Sequence, residues 1–474
     1  MRSYIVCILL FLVLGGVAQE GKRLTPCYFI TDTGTTLAEI SNSAVELSDG
    51  TIYVTGSQEN GPQGNTDIAL LKYDACGHVL WIKYYGDSLG NDGYYLNKSS
   101  DERLLLVGQT ATTHNGNDAF FYILDSSGNI LQSKLYGDSL EQKANYIEQT
   151  SDKGFVLCGY TSDAYGSNDG YVVKVDSVGN VEWQNTVGTP GAESSDMVHE
   201  LADGNYILSG DTKTPGSSTD VELTKFDKHG NIIWDNTYGD HLENGCQGVY
   251  ILSNGNYLSY GETMVVGSFV FDFFIQMIDT AGNSISRHTF GGTGTDALFS
   301  LTEINGMDLI CTGYSTSFNG FTDDDIVLFR VDTAGNMKWL KNIASSGVDI
   351  GYKLIPSMYG DYLITGEFGH NNFDYFLMRT DSFPNTNVGL AQITNRKIEL
   401  SPNPAATVVY LDLPETALEY NVLITSLTGA VIKKLALNKG KQRLDISELP
   451  NGAYLLFIGD NSSSAVVKKM FVSH

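Results

Sequence analysis

The stretch DGYVVKVDSVGNVEWQNTVG, residues 169–188, holds the pattern on which the fold rests. After Asp169, the alternation of Val173 and Val175 has the two-residue period of a half-buried strand. Asp176-Ser-Val-Gly179-Asn180 then reads as a hairpin turn. The Asp carboxylate can accept bonds from the next backbone amides, and Gly or Asn takes the left-handed geometry that a tight reversal needs. A further strand runs over 180–186, through Trp183, and stops before Gly188. Upstream, residues 146–149 and 154–158 read as two more strands, the second closed by Gly159.

This four-strand unit recurs. The turn Asp appears at Asp74, Asp125, Asp176, Asp227, Asp279 and Asp332, spaced by 51, 51, 51, 52 and 53 residues, with Gly three positions on each time. Another Asp precedes each by seven: Asp67, Asp118, Asp169, Asp220, Asp272 and Asp325. Asp374 and Asp381 make a seventh pair. All four tryptophans, Trp81, Trp183, Trp234 and Trp339, stand seven residues after a turn Asp, and Gly56, Gly108, Gly159, Gly210, Gly261, Gly313 and Gly366 close the second strands. Four short strands in about 51 residues, seven times over, predict an all-β chain folded as a seven-bladed β-propeller. The seventh unit lacks a fourth strand, since Pro384 stands where the turn Gly is due. The missing strand reappears before the first unit, in Cys27-Tyr-Phe-Ile-Thr-Asp-Thr-Gly34. The N-terminal strand is therefore expected to complete the last blade, which leaves no exposed sheet edge there.

Composition agrees. Aromatics are 11 % and glycines number 51, a mix suited to pleated surfaces and tight turns, while charged residues are only 18 %. Residues 19–395 carry 48 acidic against 19 basic side chains, and residues 396–474 carry 7 against 9. A body so acidic argues against nucleic acid or anionic membrane as partners. Arg2 followed by the apolar run 5–14 and the small residues 15–18 reads as a signal peptide over 1–18, too short to span a bilayer. No later run of 18 apolar residues occurs, so no membrane-spanning segment is expected after it. Five cysteines follow, an odd number with no C-x-x-C pair, and no disulfide framework is expected. Cys158 and Cys311 sit in apolar runs and read as buried thiols.

The repeat stops after Asp381, residues 382–395 read as a linker, and residues 396–474 as short alternating strands of a small Ig-like β-sandwich. This last segment holds Pro402-Asn403-Pro404, Gly429, Leu449, Gly452, Tyr454, Lys468 and Lys469. It resembles the C-terminal sorting domain of type IX secretion cargo in Bacteroidota, with its SPNP opening, G-x-x-V middle, L-x-x-G-x-Y motif and Lys-bearing final strand. The resemblance implies the type IX machinery as a partner and export across the outer membrane. It also implies removal of the tail, then release or attachment to surface glycolipid. The repeats resemble those of bacterial secreted propellers, which implies the fold alone. The triplets at Ser88, Ser139, Ser177, Thr280 and Thr333 are similar to the O-glycosylation motif of such exported proteins, and read equally well as plain turn residues.

Chemistry is sparse. The eight histidines form no HExxH or His-x-His, and neither a G-x-S-x-G elbow nor a P-loop occurs. No cofactor motif is present. The loops between second and third strands lie at the same end as the connections between units, and carry the repeated Asp67-type residues with Asp87, Asp138 and Asp240. Seven-fold recurrence suits a cap for loop amides better than a ligand site. Asp323-Asp324-Asp325 breaks the symmetry and is the candidate cation site, Ca²⁺ being the ion that hard oxygen ligands suit. The regular tryptophans are expected to pack between neighbouring blades. The irregular loop aromatics Tyr165, Phe269, Phe318, Phe321 and Phe373 are the candidate ligand-binding residues. Together these features favour a non-enzymatic binding or adhesion module, secreted or at the cell surface, for an extracellular glycan or protein. The alternatives are a carbohydrate-active hydrolase or lyase working through loop carboxylates, and a structural envelope component.

Overall fold

The computed structural model describes residues 29–33, 38–60, 65–86, 89–112, 116–137, 140–162, 167–188, 191–213, 218–239, 242–318, 323–345, 347–369, 374–380, 399–413, 419–426, 431–459 and 465–474. The expected signal peptide and linker lie outside them. All regular elements described are β-strands. Preceded by β1 (Phe29–Thr33), the first sheet runs in chain order through β2 (Glu39–Glu46), β3 (Ile52–Asn60), β4 (Asn65–Tyr73) and β5 (Val79–Tyr85). The second has β6 (Asn91–Lys98), β7 (Leu104–Ala111), β8 (Asn117–Leu124) and β9 (Ile130–Tyr136). The third has β10 (Gln142–Gln149), β11 (Phe155–Ser162), β12 (Asn168–Val175) and β13 (Val181–Val187). The fourth has β14 (Ser194–Glu200), β15 (Tyr206–Thr212), β16 (Asp220–Phe226) and β17 (Ile232–Tyr238). The fifth has β18 (Asn244–Ile251), β19 (Tyr257–Met264), β20 (Phe271–Ile278) and β21 (Ser284–Phe290). The sixth has β22 (Asp296–Ile304), β23 (Asp308–Ser315), β24 (Asp325–Asp332) and β25 (Met337–Ile343). The seventh takes β26 (Val348–Pro356), β27 (Tyr362–Gly369) and β28 (Asp374–Thr380), and its fourth strand is β1.

The register of that last pairing is informative. Phe29 stands opposite Arg379, as Trp81 stands opposite Lys72, Trp183 opposite Lys174, Trp234 opposite Lys225 and Trp339 opposite Arg330. Phe29 thus fills the tryptophan position of its sheet. Its ring also packs as expected of that position. A Cβ on Gly77 in the first sheet would lie 2.4 Å from Phe29, just as one on Gly230 would lie 2.7 Å from Trp183 of the preceding sheet. The turn ahead of each fourth strand behaves as its sequence predicts. Asp125 Oδ1, for example, accepts from the amides of Ser127 and Asn129 at 2.8 Å, while Gly128 has φ 74°.

Burial of apolar surface between sheets, the main favourable term in such a fold, gathers seven clusters. Each draws on two successive sheets, from Tyr53 with Phe120 round to Ile310 with Ile364, and the last joins Val54 and Leu71 to Leu363 and Tyr375 of the seventh sheet. First strands also pack on first strands, β2 on β6 and onward to β26, which packs on β2. Ser41 of β2 seals this junction: its Oγ donates to Gly366 O at 2.6 Å and accepts from Phe376 N at 3.0 Å.

One expectation is corrected. Cys76 is disulfide-bonded, its partner lying outside the described residues, whereas Cys158, Cys246 and Cys311 are free and buried.

The C-terminal segment forms two antiparallel sheets. One is β29 (Glu399–Ser401), β30 (Val408–Leu413) and β33 (Gly440–Asp445); the other orders β32 (Val431–Asn438), β31 (Glu419–Ser426), β34 (Gly452–Gly459) and β35 (Ala465–Val472). Val409, Leu411, Leu444, Val422, Ile424, Leu456 and Met470 meet in their common core.

Candidate ligand-binding site

The repeated second-strand glycine has a cause, and that cause builds the site. In every first strand the register slips by one residue opposite this glycine, at Asn42, Tyr94, Asn145, Asp196, Gln247, Phe299 and Tyr352. The slip is a β-bulge, which leaves one residue unpaired and re-aims its side chain. It also drives a first-strand carbonyl onto the glycine. A Cβ there would lie 1.7 Å from Ile40 O at Gly56 and 1.9 Å from Ser194 O at Gly210, so no side chain fits. The residue after each glycine sits beside the bulge: Ser57, Gln109, Tyr160, Asp211, Glu262, Tyr314 and Glu367. The bulge and post-glycine positions are where units that are otherwise alike differ.

Their side chains meet one another. Lys143 Nζ lies 3.8 Å from the centre of the Tyr94 ring and 5.9 Å from that of Tyr160. Gln109 Nε2 donates to Asp92 Oδ2 at 3.0 Å, and Tyr160 OH to Glu141 Oε1 at 3.1 Å. Asp211 Oδ1 accepts from Cys246 N at 2.6 Å. Gln247 Nε2 lies 3.5 Å from Glu262 Oε2. Phe299 packs on Tyr314 at 5.9 Å and edge-on to Tyr352 at 5.3 Å, and Tyr352 OH donates to Glu367 Oε1 at 2.8 Å. Asp196 keeps part of its surface, but its Oδ2 is sealed from solvent with no hydrogen-bond partner.

Residues next to the bulges also meet one another. Tyr95 packs on Tyr146 at 4.5 Å, and Lys353 Nζ of the seventh sheet lies 4.8 Å from the Tyr95 ring of the second. Tyr260 OH approaches Met197 Sδ at 3.5 Å.

Electrostatics set the belt apart. Burial first, then the charge of Asp211, pushes Asp196 well above the ordinary carboxyl range, and Lys143 pulls the other way. Burial pushes Asp211 up to about 7, and burial with the Asp211 charge brings Glu262 to about 7. Burial lowers Lys143, against the pull of Asp196, Asp92 and Glu141. Tyr314 is raised to about 12 by burial and by Asp324, Glu262 and Asp296.

Of the sequence-predicted site residues, Asp324 lies close enough to the belt for its charge to help raise the hydroxyls of Tyr314 and Tyr352. Asp323 is exposed and Asp325 is 3 % exposed, its carboxyl raised to about 6 by burial, Asp349, Asp323 and Asp324. Among the described residues no group of three or more His, Cys, Asp or Glu is placed to hold a metal ion. In the first five sheets the Asp67-type carboxylates crowd the glycine that follows the fourth strand: a Cβ on Gly239 would lie 1.6 Å from Asp220 Oδ1 and one on Gly291 1.8 Å from Asp272 Oδ1. Phe269, 93 % exposed, and Phe318 stand on loops, while Tyr165, Phe321, Phe373, Asp87, Asp138 and Asp240 lie outside the described residues. No loop motif in the sequence points to the belt. Aligning the units on the second-strand glycine and reading the next residue would have shown it.

In the C-terminal segment, Asn403 Oδ1 accepts from Phe471 N at 2.8 Å and Tyr454 OH donates to Pro450 O at 2.7 Å. Pro402 and Pro404 flank Asn403, Gly452 opens β34, Lys468 and Lys469 lie in β35, and Gly429 is outside the described residues. The sorting motif thus ties the segment's first turn to its last strand.

Residues 399–473 match the family model of the secretion system C-terminal sorting domain. This is the tail of type IX cargo, and it marks the chain for export to the cell surface or the extracellular space. No helix among the described residues is long and apolar enough to cross a membrane. No curated protein matches the chain. Among solved structures it is similar to the α-L-arabinofuranosidase Arb93A of Fusarium graminearum (12 % identity, covering 76 % of this chain and 98 % of that one, TM-score 0.42). It is similar also to the β-propeller domain of the Trilobed protease of Pyrococcus furiosus (11 %, 76 % and 100 %, TM-score 0.43). A third is Sqt1 of Chaetomium thermophilum (12 %, 94 % and 100 %, TM-score 0.43).

Proposed function

We propose that the chain is an exported seven-bladed β-propeller, completed by its N-terminal strand and carrying a small Ig-like sorting domain, that binds an extracellular glycan over its axis. The belt of bulge and post-glycine side chains carries this reading. Sugars offer many hydroxyl donors and flat C–H faces. Carboxyls and amides such as Asp211, Glu262 and Gln247 suit the first, and rings such as Tyr160, Tyr314 and Phe299 suit the second. The belt sits where the repeat varies, as specificity on a rigid scaffold requires. The test is a glycan array probed with the full exported protein and with Tyr160→Ala and Tyr314→Ala variants of unchanged melting temperature. Binding by the parent and loss by the variants is expected; no binding to any glycan sinks the reading.

A second reading has one observation behind it. Burial raises the carboxyls of Asp211 and Glu262 to about 7, within the range in which a general acid works at neutral pH. Release of new reducing ends from a polysaccharide panel, abolished in Asp211→Asn, would favour a hydrolase.

A further inference from the structure

The belt is unequal along its course. In the second, third and seventh sheets its polar atoms are taken up by one another. Tyr94 OH lies 3.4 Å from Asp92 Oδ2, which also accepts from Gln109. Tyr160 OH is bonded to Glu141, and Tyr352 OH to Glu367. These bonds hold the rings in place and occupy their hydroxyls.

The fourth and fifth sheets differ. Asp211 Oδ1 accepts from Cys246 N at 2.6 Å, and a Cβ on the adjoining Gly245 would lie 2.4 Å from Glu262 Oε1. The two carboxyls, one from each sheet, thus rest on consecutive residues of β18. Gln247 of the same strand reaches Glu262 Oε2 at 3.5 Å. Asp211 Oδ2 and Glu262 Oε1 receive a hydrogen bond from no other described residue, and neither oxygen is sealed from solvent. Phe299 and Tyr314 of the sixth sheet, with ring centres 5.9 Å apart, come next along the belt.

These open oxygens can only accept once ionised. A ligand seated on them must donate, as the hydroxyls of a sugar do while its C–H face meets a ring. An anionic group would instead meet two carboxyls with no counter-charge in the belt. The bulge and post-glycine positions include Asp196, Asp211, Glu262 and Glu367, and no Lys, Arg or His. Half-buried charges repel one another far more strongly than charges in bulk water. Repulsion of the wrong ligand is as effective a source of specificity as attraction of the right one.

We infer that this arc selects glycans free of acidic substituents: neutral hydroxyls donate to Asp211 and Glu262, while uronate, sulfate and phosphate groups are turned away. This rests on the glycan reading and narrows it.

The experiment is a glycan array of matched pairs, each a neutral oligosaccharide beside its copy bearing one sulfate or one uronate carboxyl. The full exported protein is applied at pH 8, above the value of about 7 to which burial raises both carboxyls. In every pair that binds, the neutral member should bind at least about tenfold more tightly. Raising the salt from about 0.05 M to about 0.5 M should narrow this gap. Asp211→Asn and, separately, Glu262→Gln should each narrow it at least about threefold. Asp203→Asn removes an exposed charge in the turn at the other end of β15 and should leave the gap as it is, which separates the arc from the acidity of the whole body. The parent's own gap and its salt dependence stand even if a variant fails to fold. An acidic member that binds as tightly as its neutral partner overturns the inference and leaves the glycan reading intact. So does a gap that neither belt variant narrows. A blank array removes the glycan reading and this inference with it.

Discussion

Arg379 of β28 donates through Nη2 to Glu46 Oε1 of β2, joining positions 333 apart, with side chains 0 % and 3 % exposed. Ser357 Oγ accepts from the same guanidinium at 2.8 Å, and Asp361 Oδ1 lies 3.4 Å from Nη1. Glu46 Oε2 also accepts from Met358 N at 2.8 Å. One buried cluster thus binds the seventh sheet to the first.

Arg379→Met should cost about 3–5 kcal/mol, because it leaves Glu46 and Asp361 buried without their counter-charge. Urea unfolding of the variant and the parent measures this. A loss under about 1 kcal/mol would show that the junction is held by its apolar cluster alone.

Gly210→Ala places a Cβ 1.9 Å from Ser194 O, a backbone atom that cannot swing aside. A cost of about 2 kcal/mol or more is expected, with weakened ligand binding because Asp211 and the Asp196 bulge must shift. Gly204→Ala is the control. Its φ is +79° with nothing within 4 Å, so only a backbone cost of about 1 kcal/mol applies. Similar melting curves for the two variants would refute the bulge account of the repeated glycine.

Stability should fall as pH rises from 5 to 8.5. Asp211 and Glu262 are raised to about 7, and Glu222 to about 8 by burial and then by Asp235 and Glu193. A carboxyl whose pKa is raised by folding favours the folded state below its unfolded value, near 4. That contribution is lost as pH climbs through the folded value. The charged groups facing the first two are Asp196 and, through it, Lys143. Asp152 works in the opposite sense. Burial raises it, but bonds from Lys174, Thr150 and Gly154 N outweigh that and hold it at about 2, so its contribution is constant above pH 5. Scanning calorimetry should show a melting temperature lower by at least about 5 °C at pH 8.5 than at pH 5, and a shallower slope in Asp211→Asn. A melting temperature that rises over this range would contradict the burial of these carboxyls.

Strand content and the return of β1 were legible because they rest on local rules: alternation, turn chemistry and a fixed interval. In the third unit residues 146–149 were expected as the first strand and β10 spans Gln142–Gln149. The difference is the bulge at Asn145, which breaks the alternation that strand reading depends on. The same break hid the site. Asp196 and Gln247 look like ordinary polar residues in sequence, and only the slip beside Gly210 and Gly261 turns them toward their neighbours. The Asp67-type residues drew notice by repetition, and repetition proved to mark a backbone contact. Asp196 and Asp211 are neighbours within the fourth unit, and Glu262 comes to them only where the fifth sheet meets the fourth, which no single unit displays.

The pairing of Phe29 with Arg379 has a consequence in time. Along the chain, the first strand described here has no partner until β28, the last strand of the seven sheets, has been made. Its contacts are among the longest-range in the chain, the kind that slow folding most. Until β1 docks, β28 presents a bare hydrogen-bonding edge to any passing strand. The sorting segment, from Glu399 on, is the next described part of the chain after that edge strand. A chain whose β1 has not docked has its last sheet open, so the seventh sheet is complete only once the two ends of the repeat have met.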